Sequence, residues 1–423
     1  MQSYVPVEHA VSLIPHTTEF LPLINAVIGA SGPDRRHTWD RSGKYATVCK
    51  RVVDPAGVRE RIPALAAQVR ERLQELFSLV MEAIRAYQAG ELEVSAATFV
   101  RAGELEEGEG RLAEAERLYL LALEVAEAAD DRRPEILALR RLGRAAHAAG
   151  RLAESRDRYE RSYFLSVRTR DLPGQAAACR SLGAIWAEQG RWADARAWYT
   201  RGMQLAGRLD PELRYPFLCR LAALALQVGD LDEAEAQLEQ ARQAIEATGV
   251  EQDTAPWHHT RGLLLDARGD LPGAERAYRE GLDRVRQPAC EIRMRVDLGH
   301  NLVRQGRLFE AREEARRAEE MAIRRRLVPA LVGVYGLLGA VAREQCDEDG
   351  FVFFEQALEL CREQELPKVH EAAVYHEYGL FLQSCGHASE APAYLELARE
   401  LYREMGLARE VERVSADLRG VEG

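Results

Sequence analysis

The chain has 423 residues, of which 47% are apolar and 7% aromatic, and its formal net charge at pH 7 is −11. Apolar content rich in alanine and leucine favours close-packed helices over sheets. Broad nucleic-acid binding is excluded, because it needs clustered positive charge to displace counterions from phosphates. The seven cysteines are widely scattered without a CxxC pair, which excludes a disulfide framework and indicates reduced thiols in the cytosol.

The first 57 residues differ from the rest of the chain, because prolines and glycines interrupt any helical period there. A short helix is predicted over 8–13, and a β-branched run with a central turn predicts a β-hairpin over 38–53. The apolar stretch 20–30 is interrupted by Pro22 and has no preceding basic residues, so it is neither a signal peptide nor a membrane span. We therefore expect an irregular segment over 1–57 in a cytoplasmic protein.

A helical period begins at Val58. Apolar residues from Leu65 onward recur three or four positions apart, which places them on one face of a helix. The pattern predicts a long helix that ends at Gly90, followed by a second helix over 92–107. This second helix begins the first clear repeat.

A sequence motif over 182–202 recurs, with variations, about every 40 residues. Its skeleton is a small residue (Gly183), a turn glycine seven positions later (Gly190), a small residue five beyond that (Ala195) and an aromatic residue (Tyr199). Self-similarity at a fixed period of roughly 20 to 50 residues is the signature of a repeat array. The small position recurs at Gly103, Gly143, Gly183, Ala222, Gly262, Gly299, Gly339 and Gly379, at intervals of 40, 40, 39, 40, 37, 40 and 40.

Each part of the skeleton has a physical reason. A residue tolerant of positive φ ends the first helix, and small residues let two antiparallel helices approach closely. Each helix pair leaves an apolar face that the next pair covers. One repeat has Cys346 in place of the turn glycine and Phe351 in place of the second small residue, so we expect a distorted or hinge-like repeat there. After Gly406, a helix over 407–418 is predicted to cap the array.

The skeleton resembles the tetratricopeptide repeat (TPR), whose consensus has small residues, a turn glycine and an aromatic residue at these offsets. The resemblance covers about 92–405, and the period is similar to the long-helix variety found in kinesin light chains and in bacterial signalling proteins. It implies an all-α fold, with a right-handed solenoid of about eight antiparallel helix pairs over 58–406 and a capping helix and tail over 407–423. Such repeats bind proteins or peptides, and no cofactor is expected.

The resemblance also implies which residues face a ligand. In TPR arrays the first helix of each pair lines the concave surface, and the ligand-facing residues lie three before, one after and four after the small position. These positions and the adjoining helix edges are largely basic, although the chain as a whole is acidic. The predicted groove residues are Arg140, Arg144, His147, Arg180, His259, Arg293, His300, Arg304, Arg343 and His376. The same rule assigns Cys219 to the groove.

Guanidinium groups that converge in a groove bind carboxylates through charge-assisted hydrogen bonds. We therefore predict a non-enzymatic scaffold or adaptor that binds an acidic peptide or protein segment in this groove. The opposing interpretation is that the arginines pair with carboxylates of neighbouring helices. Two other functions remain open: a regulator whose groove is occupied by a signal peptide or by residues 1–57, and a structural subunit of a larger complex. The oligomeric state and the identity of the partner also remain open.

The sequence contains no motif typical of catalysis or metal binding. His370 and His376 are six positions apart, whereas a zinc-binding helix needs two histidines four apart. Gly333, Gly336 and Gly339 lie along a predicted helix with no following Gly-Lys-Ser, so they do not form a phosphate loop. A Gly-x-Ser-x-Gly elbow is also absent. We expect neither enzymatic activity nor a bound metal.

Overall fold

The computed structural model describes residues 55–108, 111–129, 132–149, 151–248, 254–325, 327–363 and 366–422. Over these residues the secondary structure is entirely helical, with eighteen α-helices, one short 3₁₀ helix at Pro211–Arg214 and no strand. The predicted helix over 8–13 and hairpin over 38–53 lie outside the described residues. The all-α prediction is confirmed.

The helices form consecutive antiparallel pairs, and we number them in chain order. They are α1 Pro55–Gln88, α2 Leu92–Gly108, α3 Leu112–Glu127, α4 Arg133–Ala148, α5 Leu152–Arg168, α6 Leu172–Glu188, α7 Trp192–Leu209, α8 Tyr215–Val228, α9 Leu231–Thr248, α10 Ala255–Ala267, α11 Leu271–Leu282, α12 Pro288–Arg304, α13 Leu308–Arg325, α14 Val328–Gln345, α15 Asp349–Glu363, α16 Lys368–Ser384, α17 Ala391–Glu404 and α18 Ala408–Glu422. The chain divides into two compact units, Met1–Pro134 and Glu135–Gly423. The second unit carries most of the repeats.

Within a pair, the two helices meet where the first helix has its small residue. A Cβ atom placed on Gly183 would lie 2.4 Å from Cε1 of Tyr199, and one placed on Gly143 would lie 2.8 Å from the same atom of Tyr159. The tyrosine ring therefore packs directly on bare backbone, and Tyr199 is only 2% exposed. Glycine is required at this position because any side chain would displace the ring.

The turns between paired helices adopt the left-handed conformation. Gly229 ends α8 with φ 82°, and Cys346 ends α14 with φ 49° and ψ 41°. The repeat that contains Cys346 and Phe351 thus keeps its turn. Its turn residue is not glycine, although it lies in a backbone region that favours glycine. Phe351 stands in place of a small residue. Its ring packs edge-on against the rings of Phe381 and His387, with distances between ring centroids of 5.0 Å and 5.1 Å.

The first helices of successive pairs line the inner face of the second unit. From α8 onward each first helix contacts the next one directly, through α10, α12, α14 and α16. No comparable contact joins successive second helices in the described part of the chain. The first helices are therefore closer together, as on the inside of a curve.

Adding a methyl group at the helix crossing tests this packing. We expect Gly183→Ala to lower the free energy of unfolding by about 1 to 3 kcal/mol, because the new Cβ would overlap the Tyr199 ring. The measurement is the urea midpoint followed by circular dichroism.

Gly336→Ala is the matched control, because Gly336 also lies inside a helix but has no atom within 4 Å of an added Cβ. This variant should raise the free energy of unfolding by about 0.5 to 1 kcal/mol through helix propensity alone. Equal responses from the two variants would contradict the packing described above.

Candidate functional site

Four arginines converge on the inner face where α4, α6 and α8 lie side by side. Arg140 and Arg144 come from α4, Arg180 from α6 and Arg220 from α8. Burial raises the pKa of the Tyr159 hydroxyl, while a hydrogen bond with Ser181 and the positive charges of Arg144, Arg140 and Arg180 oppose that rise. The three positive charges therefore act on one hydroxyl group. We call Arg140, Arg144, Arg180 and Arg220 the arginine cluster.

Two members of the arginine cluster have no carboxylate partner in the described residues. Neither Arg140 nor Arg180 forms an ion pair there. Asp171 acts on Arg140 from beyond ion-pairing distance, and its carboxylate accepts a hydrogen bond from the backbone N–H of Gly174 at 3.1 Å at the start of α6. The positive charge of these two arginines is therefore not neutralised within the second unit.

The surroundings of both side chains disfavour their charge. Burial lowers the pKa of Arg140, and the neighbouring charges of Arg180 and Arg141 lower it further. Burial likewise lowers the pKa of Arg180, followed by the charge of Arg220. Arg180 nevertheless remains exposed to solvent. A side chain that is surrounded by protein and still touches water lies on a concave surface.

The tyrosines that pack on Gly143, Gly183 and Gly262 show how the second and third repeats differ from the fifth. In the fifth repeat Tyr278 donates a hydrogen bond to Asp266 at 2.9 Å, and Asp266 lies four positions after the small residue. The corresponding positions in the second and third repeats are His147 and Ala187, which supply no negative charge. Burial raises the pKa of Tyr199, the charge of Arg220 opposes that rise and the charge of Glu188 adds to it. The tyrosines of the second and third repeats therefore have no carboxylate at the position that Asp266 holds in the fifth.

Most of the other predicted groove residues are held in intramolecular pairs. The pairs are His147–Glu188 at 2.8 Å, His259–Asp297 at 2.6 Å, Arg304–Asp266 at 3.2 Å, Arg343–Glu377 at 2.8 Å and His376–Asp417 at 2.7 Å. His300 acts electrostatically on Glu377, and Arg293 acts on His370. The basic residues outside the arginine cluster are therefore largely compensated by neighbouring carboxylates.

Two residues assigned to the groove are buried. His376 is 2% exposed, and both its ring nitrogens have partners, since the second one contacts Arg413 at 3.0 Å. Cys219 is 3% exposed and packs with Leu218 and Ala241 in the core. Assigning Cys219 to the groove was therefore wrong, and the exposed side chain on that part of α8 is Arg220.

The third and eighth repeats of the second unit approach each other. A Cβ atom placed on Gly190, in the turn after α6, would lie 2.5 Å from the backbone oxygen of Met405, which follows α17. Trp192 packs beside the hydrophobic cluster that includes Tyr402 and Leu418. The third repeat therefore contacts the end of the eighth.

Other kinds of site are absent from the described residues. No group of three His, Cys, Asp or Glu side chains there is arranged to hold a metal ion. None of the described helices combines the length and apolar character needed to cross a membrane. A cavity of about 710 Å³ is lined by Trp257, His258, Arg242 and Arg284 among others, but Arg242 is already bound by Glu239 and Glu246.

Comparison with known families decides the nature of the repeat. The family model described as the tetratricopeptide repeat matches residues 94–165 and 216–287. The chain contains tetratricopeptide repeats. Curated protein sequences include none that matches the chain significantly.

Solved structures with similar TPR folds include three bacterial signalling proteins. The Rap conjugation gene regulator of plasmid pLS20, in complex with the Phr* peptide, has 14% identity and a TM-score of 0.56 over 80% of this chain and 97% of that one. A Rap protein complexed with competence and sporulation factor has 12% identity and a TM-score of 0.50 over 78% and 98%. The apo quorum sensor NprR from B. thuringiensis has 14% identity and a TM-score of 0.50 over 81% and 97%. At these identities the likeness shows the fold alone.

Sequence reasoning missed Arg220 because the TPR interval is shorter at this point. The small residues Gly183 and Ala222 are 39 positions apart, so the positional rule selected Cys219. Arg140, Arg180 and Arg220 are spaced by 40 residues, and counting that interval would have found the third member.

Removing a charge from the arginine cluster should not destabilise the TPR array. We expect Arg180→Met to leave the free energy of unfolding unchanged or to raise it by up to about 1 kcal/mol, because the substitution relieves repulsion from Arg220. The effect should shrink at high salt, which screens the repulsion. Urea denaturation at low and high salt measures it.

Arg343→Met is the comparison, because Arg343 is paired. Burial would raise the pKa of Glu377, but Arg343 and nearby His300 hold it below its usual value. Loss of the arginine should cost about 1 to 3 kcal/mol of stability, since Glu377 is left without its main partner. If Arg180→Met destabilised the protein as much as Arg343→Met, then Arg180 would have an intramolecular partner and the arginine cluster would be structural.

Proposed function

We propose that this protein is a non-catalytic, peptide-responsive regulator whose TPR groove binds a short acidic peptide at the arginine cluster. The observation that carries the proposal is the unpaired state of Arg140 and Arg180 on a concave surface. Charges held close together without partners destabilise a folded protein and are characteristic of binding sites. A ligand carboxylate would supply the missing partner, and each charge-assisted hydrogen bond would contribute about 1.5 to 3 kcal/mol.

The contact between the third and eighth repeats favours a short ligand. A large folded partner that entered between these repeats would have to break the contact between Gly190 and Met405. A peptide or a free chain end enters such a groove without disrupting that contact. The peptide complexes formed by the similar Rap proteins support this class of ligand. A scaffold or adaptor that binds the acidic terminus of a protein has the same chemistry and is the second candidate.

The test is the capture of peptides from a synthetic library of short sequences with varied acidic content. Arg140→Ala, Arg144→Ala and Arg180→Ala combined should weaken the binding of captured acidic peptides by roughly 10- to 1000-fold, because up to three charge-assisted hydrogen bonds are lost. Helicity should be unchanged. Isothermal titration calorimetry measures the affinity, and circular dichroism measures the fold.

The matched control removes three arginines from second helices, where they face away from the groove. Arg168, Arg208 and Arg276 are exposed and form no ion pair in the described part of the chain. Their combined replacement by alanine changes the net charge by the same amount and should leave peptide affinity nearly unchanged. The proposal fails if both triple variants bind acidic peptides equally well.

The alternative occupant is the segment over 1–57, and its charge does not favour that role. It contains six basic and five acidic residues, so it carries no net negative charge to complement the arginine cluster. Deletion of residues 1–54, which leaves α1 intact, should therefore not change the affinity for a captured peptide. A large gain in affinity would instead show that the segment competes for the groove.

A further inference from the structure

Two cysteines from successive turns lie side by side at one edge of the array. Cys346 ends α14 and Cys385 ends α16. The Cys346 thiol donates a hydrogen bond to the backbone oxygen of Ser384, the residue before Cys385, at 3.8 Å. Burial raises the pKa of the Cys385 thiol, and the neighbouring Cys346 thiol raises it further. Both cysteines are free, Cys346 is exposed and Cys385 is half-buried. The pair is therefore reachable by a small reagent.

The backbone of Cys346 gives an independent indication. Its φ of 49° is in the region that L residues rarely adopt, whereas the turns at Gly306 and Gly386 on either side have glycine there. Glycine would relieve the steric conflict at this position. A residue kept in a disfavoured conformation points to a role for its side chain. In this case the side chain is a thiol that reaches the backbone oxygen of the residue before Cys385.

The other described cysteines lack these features. Cys179, Cys219 and Cys361 are buried, and burial raises the pKa of each to about 12. Their thiolate forms are therefore scarce at neutral pH, and thiolate is the reactive species. Cys290 is half-buried and its thiol contacts only the side chain of Gln287, at 3.8 Å.

We propose that Cys346 and Cys385 form a reversible disulfide that links the turns of the seventh and eighth repeats. The oxidant is a low-molecular-weight disulfide, RSSR. The exposed Cys346 thiolate attacks one sulfur of RSSR, forms a mixed disulfide and releases RS⁻. Cys385, after losing its proton, attacks the Cys346 sulfur and displaces the second RS⁻. The net reaction converts two protein thiols and RSSR into one protein disulfide and two RSH.

The bond would close a loop from one turn to the next, over 346–385. Such a link lowers the entropy of the unfolded chain and so stabilises the two repeats. It would also fix the position of α14 relative to α16, the two helices that the Arg343–Glu377 ion pair already joins. Reduction would restore their freedom to move.

The experiment treats the reduced full-length protein with oxidised glutathione at pH 8, blocks remaining thiols and maps the disulfides by mass spectrometry. Cleavage after glutamate separates Cys346, in the fragment 345–348, from Cys361. We expect this fragment to be joined to 378–390, which contains Cys385. Oxidation should raise the melting temperature by roughly 5 °C, and dithiothreitol should reverse both changes.

Three variants complete the test. Cys385→Ser should retain glutathione on Cys346 as a stable mixed disulfide and should lose the rise in melting temperature. Cys346→Gly should lose the cross-link and, when reduced, be more stable than the wild type, because the turn is no longer strained. Cys290→Ser should behave as the wild type. Persistent mixed disulfides on the wild type without the internal bond, or a cross-link between two molecules, would overturn the proposal.

Discussion

The close approach of paired helices at a bare glycine backbone is the contact on which the rest of the structure depends. Tyr199 lies flat against Gly183, and the same arrangement joins Tyr159 to Gly143. The hydroxyls of both tyrosines lie near arginines of the first helices. The packing of tyrosine on glycine thus determines where each hydroxyl lies. The first-helix residues near that hydroxyl then set the local charge of the groove.

The two halves of the groove use this arrangement differently. In the fifth repeat Asp266 accepts a hydrogen bond from the Tyr278 hydroxyl and pairs with Arg304, which stabilises the fold. In the second and third repeats His147 and Ala187 occupy the corresponding position, and Arg140 and Arg180 form no ion pair in the described residues. Stability is thereby reduced where a ligand is proposed to bind, a trade that is common at functional sites.

The repeat and its helices could be predicted from the sequence because glycine and aromatic positions are imposed by local packing. The sequence could not show in the same way which exposed charged residues have a partner of opposite charge. Arg180 and Arg343 occupy positions allowed by the same rule, but only Arg343 has a carboxylate across the next helix. That difference depends on contacts about 40 residues apart. His376 looked accessible by position, but it is buried because Asp417 and Arg413 of the capping helix cover it. The contact between Cys346 and Cys385 depends on the same kind of long-range placement.

The central claim is that a ligand carboxylate completes the arginine cluster, and a crystal structure of the protein with a captured acidic peptide tests it most directly. The account predicts a peptide carboxylate within hydrogen-bonding distance of Arg140 and Arg180, on the inner face between α4 and α8. A peptide bound elsewhere on the array, with no peptide carboxylate at these two guanidinium groups, would contradict it.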